Sequence, residues 1–261
     1  MVDMNALETA LAETLSAGKL HYAAVTGSTN NDALLAARDG APHGSVYFAD
    51  AQTAGRGRGG HAWHSTACEG LYVSVLLRPR FPARRLPLLP LAAGLAAAEA
   101  VHATTGLHAD LRWPNDLLIG ERKTGGILME AHTERNAVAY VAVGIGINVH
   151  QRAFEEGLST PATSLDLESG QTISRQELLV ALLKSLERET LALDEDTAAE
   201  TIPARVDAAS TWVRGRRVDV HGPRPCTGVT AGLDEYGFLL VETDAGLVTV
   251  QTGGIRAAET N

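Results

Sequence analysis

Cysteine is nearly absent: Cys68 and Cys226 are the only two in 261 residues. They lie far apart and lack metal-type or redox spacing, which excludes a disulfide framework and fits a reducing, cytoplasmic compartment. A secretory leader is also missing, since residues 1–20 read as an amphipathic helix with scattered acidic residues rather than a basic start and an apolar stretch. No long hydrophobic run exists either. The most apolar segment, residues 86–101, is short for a bilayer and contains Pro87, Pro90 and Glu99, so it reads as a buried helix beginning near Pro90, and no membrane partner is expected. Positive charge is in deficit, with 22 Lys and Arg against 31 Asp and Glu and a formal net charge of -9. That balance argues against the broad basic surface on which nucleic-acid affinity rests, so no DNA partner is expected. Among the charged residues lysine is scarcest, occurring only at Lys19, Lys123 and Lys184. No internal repeat or low-complexity tract is present.

What remains is a chain that is 45% hydrophobic and long enough to bury a sizeable core. Apolar runs predict strands over residues 22–25, 45–49, 71–77, 111–113, 123–130 and 137–143. Helical patterns cover 30–38, 89–105 and 175–193, the last capped by Ser174 with Glu177 three residues on. This succession predicts an α+β fold, a mixed sheet packed against helices, rather than a doubly wound parallel sheet. After the acidic stretch 194–200 and Pro203 the texture changes to short strands at 217–220, 226–233, 238–242 and 247–251. The expected organisation is a main domain over 1–207 and a small SH3-like β-barrel over 208–261, leaning on its neighbour because so small a core is marginal alone.

Four segments could carry chemistry. The first, residues 52–63, holds Gly55, Arg56, Gly57, Arg58, Gly59, Gly60 and His61. Its glycines let backbone approach a ligand, and its two guanidinium forks suit phosphate or carboxylate. With no apolar side chain between Gly55 and Gly60, the loop is expected to be mobile when empty and ordered by ligand; the alternatives are a plain surface turn or an RGG-like RNA contact. The second, Ser28, Thr29 and Asn30 at a strand-to-helix junction, either caps the helix or fixes a neutral polar head group. The third runs from Arg112 through Trp113, Pro114, Asn115 and Asp116 to Lys123, Gly125 and Gly126. A lysine retained beside Arg122, in a chain that otherwise prefers arginine, suggests that a compact point charge is needed there. The fourth, Gly144, Gly146 and Asn148, lacks the third glycine and the following helix of a dinucleotide fingerprint. Either it leaves room for a ring system, or its glycines relieve a crowded sheet.

In this order and spacing the four segments resemble the biotin protein ligase family, with its GRGRxxR-type loop, KWPND-type string, lysine-glycine strand and GxGxN turn. The resemblance extends from about residue 25 to 148, and the stretch from about 211 to 257 resembles that family's SH3-like domain. It implies that ATP and biotin are substrates, with Mg²⁺, and that biotinyl-5'-AMP forms before biotin passes to a lysine of a biotin carboxyl carrier domain. It implies a biotin-anchoring set of Ser28, Thr29, Asn30 and Gln52, and a loop of Gly55, Arg56, Gly57 and Arg58 closing over biotin and its adenylate. Lys123 corresponds to the lysine meeting biotin's carboxylate and the reacting phosphate, with Gly126 and Gly144 as close backbone contacts. Asn115 and Asn148, with Arg56, Arg58 and Lys123, fall at the nucleotide. Lys123, Arg58 and Asp116 are the expected catalytic residues, an acceptor lysine being made neutral near Asp116. Gly59 and His61 replace further basic residues of the family loop, and Arg112 replaces a lysine. Only about twenty residues precede the first strand, which implies the short, monofunctional class without a DNA-binding domain. A monomer and a homodimer fit equally well, and no metal ligands are legible. The competing readings are a lipoate or octanoyl transferase of the same fold and a non-enzymatic RNA-binding protein.

Overall fold

The computed structural model describes residues 2–134 and 137–258; Met1, residues 135–136 and the C-terminal end, 259–261, lie outside it. Seven strands form one sheet: β1 (Leu20–Thr26), β2 (Ser45–Gln52), β3 (Gly70–Leu77), β4 (Asp110–Arg112), β5 (Asp116–Ile119), β6 (Arg122–Glu134) and β7 (Ala137–Asn148). Their spatial order is β1-β2-β3-β7-β6-β5-β4. Only β1 and β2 run parallel, and the other neighbours are antiparallel. The mixed sheet against helices is the architecture expected from the sequence.

Period-two alternation gives this sheet two unlike faces. One carries Val73, Val75, Val143, Ile145, Ile147 and Ile127, all buried in the main core. Against it pack α3 (Leu89–Thr105), α5 (Arg175–Ala192) and α6 (Ala198–Ala209). The 3₁₀ turn Ala83–Leu88 and α3 together are long and apolar enough to cross a bilayer by length and composition. Here α3 is instead interior, with Leu89, Leu91, Ala92, Ala93, Ala96 and Val101 buried. In α5, Leu178, Leu179, Leu182, Leu183 and Leu186 fall at helical spacing on the core side, each contributing about 2 kcal/mol of burial. Ser174 caps it as expected, accepting from the Glu177 N–H at 3.2 Å. The opposite face of the sheet carries Tyr72, Ser74, Gly126, Leu128, Gly144 and Gly146, and is covered in part by α2 (Thr29–Arg38).

One expectation needs correction, and two elements are additions. The N-terminal helix stops early, at α1 (Met4–Ala10). Beyond it Thr14 Oγ1 bonds back to the Leu11 carbonyl and accepts from the Ser16 N–H, and such local side-chain bonds compete with helix. Residues 198–209, given no element in the sequence analysis, form α6 with Pro203 buried inside it. Ala198, Ile202 and Val206, at i, i+4 and i+8, bury there and offset the roughly 3 kcal/mol a helix-interior proline costs. The turn after Trp113, which contains a cis Trp113–Pro114 bond, leads directly into β5, a strand the sequence reading did not include.

A short helix α4 (Leu165–Ser169) follows the main sheet. The C-terminal unit, where an SH3-like barrel is expected from the sequence, is a five-stranded antiparallel sheet of β8 (Arg214–His221), β9 (Cys226–Leu233), β10 (Leu239–Thr243), β11 (Gly246–Val250) and β12 (Gly254–Ala257), in the order β11-β10-β9-β8-β12. Its strand β12 is an addition to the four read from sequence. It docks through the β9–β10 turn: the buried Trp113 donates Nε1–H to the Gly237 carbonyl at 3.0 Å. Gly237 has φ +79°, and a Cβ there would stand 2.6 Å from Leu91 Cδ1. Gly237→Ala is therefore expected to destabilise the protein by about 1–3 kcal/mol through strain and overpacking, read from the urea midpoint. An unchanged midpoint would mean that this docking turn is not tightly packed.

Candidate active site

Where β3, β7 and β6 lie side by side, their register aligns Ser74 with Gly144 and Gly144 with Leu128, and pairs Gly126 with Gly146. The solvent-side face is thus stripped of bulk along a diagonal, and α2 and the loop after β2 close over it. The result is an open cleft of about 480 Å³, solvent at its mouth included.

One end of the cleft is neutral and polar. Ser28 stands at the N-cap of α2, yet its side chain makes no cap hydrogen bond, so the hydroxyl is left to the cleft that it lines. Thr29 donates from both N and Oγ1 to Gln52 Oε1, at 2.9 and 3.1 Å. Gln52 Nε2 donates to Ser65 Oγ at 2.7 Å. The fully buried Ser74 hydroxyl lies 2.8 Å from Thr29 Oγ1 and 2.6 Å from Asn30 Oδ1, and its single proton serves one of them at a time. Asn30 Nδ2 donates to the Leu128 carbonyl at 3.3 Å and to Glu130 at 2.8 Å. These bonds fix the amide orientations of Asn30 and Gln52 and preorganise donors and acceptors for a small neutral head group.

The other end is cationic. Lys123 Nζ is 2.5 Å from Asp116 Oδ1, and Arg112 Nη2 is 2.6 Å from Asp116 Oδ2. Burial by itself would raise the Asp116 pKa, but the Lys123 ammonium and the Arg112 guanidinium outweigh it and hold the carboxyl below its ordinary value. Arg58 joins the same wall and reaches the Gly253 carbonyl of the C-terminal sheet. Its burial lowers its pKa while Asp116 acts the other way; a guanidinium remains charged regardless. Arg56 stands apart from these, beside the Asn30 end: it pairs at 2.7 Å with Glu130 Oε2, the oxygen that also accepts from Asn30, and donates to Asn31. Four cations against two carboxylates leave a surplus of two positive charges around the cleft, in a chain of formal net charge -9.

Between the ends stands Trp63. Its ring covers the β6–β7 glycines, so a Cβ on Gly146 would fall 2.6 Å from Trp63 Nε1, and Lys123 Nζ lies 5.5 Å from the ring centroid. Its buried Nε1–H has no hydrogen-bond partner among the described residues, an orphaned donor at the wall of the cleft. A Cβ on Gly144 would likewise collide with Asn30 Oδ1. The close approach foreseen at the glycines is thus made first by the protein's own side chains.

Of the residues named from sequence, Ser28, Thr29, Asn30, Gln52, Arg56, Gly57, Arg58, Asn115, Lys123, Gly126 and Gly144 line this one cleft. Three do not. Gly55 sits under the loop, where a Cβ would collide with the Trp63 carbonyl and come within 2.9 Å of Ser65 Oγ. Asn148 is buried and donates to the Thr163 carbonyl at 3.0 Å, fastening the segment before α4. Asp116 stands behind Lys123, with both oxygens taken by cations. The loop is also more constrained than its glycines suggested: Gly57 N–H donates to the His61 carbonyl at 2.7 Å, and Arg56 forms an isolated bridge with Ala62. Sequence reasoning missed Trp63, Ser74 and Glu130 as parts of the site. For Ser74 a signal existed, a hydroxyl within the apolar run of β3; for Glu130 none did.

A sequence model of the Biotin/lipoate A/B protein ligase family matches residues 22–148, the span that supplies every wall of the cleft. Over 244 residues the chain is 34% identical to the biotin–acetyl-CoA-carboxylase ligase of Mycobacterium tuberculosis, covering 91% of this chain and 88% of that protein. Over 241 residues it is 35% identical to the bifunctional ligase/repressor BirA of Bacillus spizizenii, covering 90% and 73%. Among solved structures, the biotin protein ligase from Aquifex aeolicus in complex with biotin and ATP superimposes with a TM-score of 0.79 at 31% identity, over 92% of this chain and 98% of that one. With the cleft, both sheets and nearly the whole length of the chain shared in this way, the chain belongs to the biotin/lipoate A/B protein ligase family, in its biotin protein ligase branch.

Proposed function

We infer that this chain activates biotin with ATP, forming biotinyl-5'-AMP and pyrophosphate, and then transfers biotin to a lysine of a biotin carboxyl carrier domain. The observation that carries the inference is the division of one cleft into a neutral hydrogen-bonding end and a cationic end. Biotin has the matching ends, a ureido ring and a carboxylate. A lipoyl or octanoyl chain has no group to meet the Ser28–Asn30, Gln52 and Ser74 network, which favours biotin over the rival acids of the same fold.

In the first half-reaction a carboxylate oxygen attacks the α-phosphorus of ATP, the bond to the β-phosphate oxygen breaks, and pyrophosphate leaves. Two anions must meet, so fixed positive charge at the point of contact lowers the barrier. Lys123, Arg58 and Arg56 supply it. In the second, a neutral lysine amine attacks the anhydride carbonyl carbon and AMP departs. Asp116, held ionised at low pKa with both oxygens engaged by cations, is a weak base; the surrounding excess of positive charge favours loss of the incoming ammonium's proton to solvent. Asn115 and Asn148 belong to the nucleotide end, Asn148 by holding the chain that borders it. Mg²⁺ does not find a protein cage here. Among the described residues no three His, Cys, Asp or Glu side chains cluster, and Glu130 and Asp116 are both committed to cations; the ion's natural ligands are the nucleotide's own phosphates.

With ATP, Mg²⁺, labelled biotin and a carrier domain, label is expected on the carrier, and biotin alone among biotin, lipoate and octanoate should stimulate pyrophosphate exchange. Exchange driven by lipoate instead would assign the cleft to the rival acid. Lys123→Ala is expected to slow adenylate formation by about a hundredfold or more, the loss of one preorganised donor being worth about 3 kcal/mol; an undiminished rate would remove it from the reaction. Ser74→Ala should raise the KM for biotin roughly tenfold with kcat nearly unchanged, because it loosens the head-group anchors and touches nothing at the phosphate. An effect on kcat alone would contradict that division. Asp116 also sets an acid limit on stability. Its pKa is lower folded than unfolded, so its contribution is complete above the unfolded value of about 3.9 and disappears as pH falls through the folded one. Melting curves of wild type and Asp116→Asn should therefore differ at neutral pH and converge in acid; parallel curves would refute the pairing.

A further inference from the structure

We propose that Trp212, at the junction between the two sheets, is a positioning residue for adenylation: its indole fixes Arg112, and through Arg112 the Asp116 and Lys123 pair. The proposal rests on Lys123 being the cation that meets the reacting acid and phosphate.

Arg112 is 7% exposed. Its hydrogen bonds, to Asp116 at 2.6 Å and Thr160 at 2.9 Å, both leave from Nη2. Both bonds lie at one nitrogen, and the rest of the guanidinium packs toward the indole of Trp212, its central carbon 5.2 Å from the ring centroid. A second guanidinium, from Arg216 in β8, lies 3.5 Å from the same centroid and donates to both carboxylate oxygens of Glu121 at 2.9 Å. Glu121 lies in the turn between β5 and β6, the strands that carry Asp116 and Lys123. The hairpin is therefore held at its turn by Arg216 and at its open end by Arg112, with one aromatic ring joining the two.

The ring itself is placed by the strand it serves. Ser210 Oγ donates to the Leu111 carbonyl at 2.6 Å and accepts from the Trp212 N–H at 3.0 Å, and Thr211 binds Asp110 through both N and Oγ1. Residues 210–212 are thus clamped along β4, and Trp212 is 2% exposed. Its own Nε1–H has no partner among the described residues, so the ring is held by its faces and its backbone rather than by its polar edge. The second sheet thereby reaches the reacting centre through contacts that touch neither substrate.

The test uses the full chain and measures single-turnover biotinyl-AMP formation against pH, biotin affinity by calorimetry, and the folded fraction at the assay temperature. Charged groups facing Asp116 are Lys123 from β6, Arg112 from β4 and Arg58 from the loop. Loosening Arg112 removes one of the influences that depress the Asp116 pKa, so the acid limb of the rate profile should move to higher pH. For Trp212→Leu we expect a rate at least tenfold lower, a shifted acid limb and biotin affinity within about twofold of wild type, with Trp212→Phe restoring most of the rate because a ring face remains. Arg216→Gln, a change near the surface, should shift the limb the same way and serves if Trp212→Leu does not fold. A rate and acid limb equal to wild type, or a rate that falls only with the folded fraction while the limb stays fixed, would overturn the proposal. Wild type failing to form biotinyl-AMP would instead overturn the functional reading beneath it.

Discussion

Asp116 is the residue around which the site is organised, because it places two cations side by side that would otherwise repel. An ionised carboxylate so nearly buried persists only when paired on both oxygens, and Arg112, itself buried, would be an uncompensated charge without it. Arg112 and Lys123 meet this demand from opposite flanks, since β5 lies between β4 and β6 in the sheet. Strand order is thus what converts sequence-distant charges into a triad, and the triad is what delivers an ammonium to the mouth of the cleft at a fixed height.

The neutral end depends on a different constraint, the removal of side chains. On the helix-packed face, β7 alternates Val143, Ile145 and Ile147 into the core; on the other, Gly144 and Gly146 leave the backbone bare. That asymmetry makes one strand both a core element and a binding floor. The space left by Gly144 is filled by Asn30 and that by Gly146 by Trp63. Ser74, directly across from Gly144, then finds Asn30 within reach. Glycine at these positions is therefore explained by the protein's own packing before any ligand enters.

Legibility in the sequence followed the range of the interaction concerned. Helices α3 and α5 were legible because burial at helical period is a local pattern, and most strands because period-two alternation is too. Residues 1–20 form less helix than their pattern predicts because hydroxyls bonding back to backbone ended α1, and α6 carried no readable signal because Pro203 interrupts a helix that the burial of Ile202 and Val206 sustains. The site residues Ser28 to Asn30, Arg56, Arg58 and Lys123 stood out through unusual composition. Glu130 did not, because an acid in a half-exposed strand has no local mark; its relevance arises only when Asn30, a hundred residues earlier, folds against it. Trp212 was hidden for the same reason.

The two cationic elements of the cleft differ in how firmly they are held, and the difference suits the order of events. Arg56 and Glu130 form a pair whose side chains are 43% and 27% exposed, a setting in which an ion pair contributes about 0–1 kcal/mol. On the proposed reaction, Arg56 would exchange Glu130 for a phosphate at little cost, which would let the loop respond to nucleotide although it already has a defined conformation. Lys123 and Asp116 are 29% and 16% exposed, and Asp116 is braced further by Arg112, so this pair is harder to separate. The loop is then the adjustable element and the lysine the fixed reference. A reactive anhydride needs both: a stationary charge that defines where the bond forms, and a cover that moves without disturbing it.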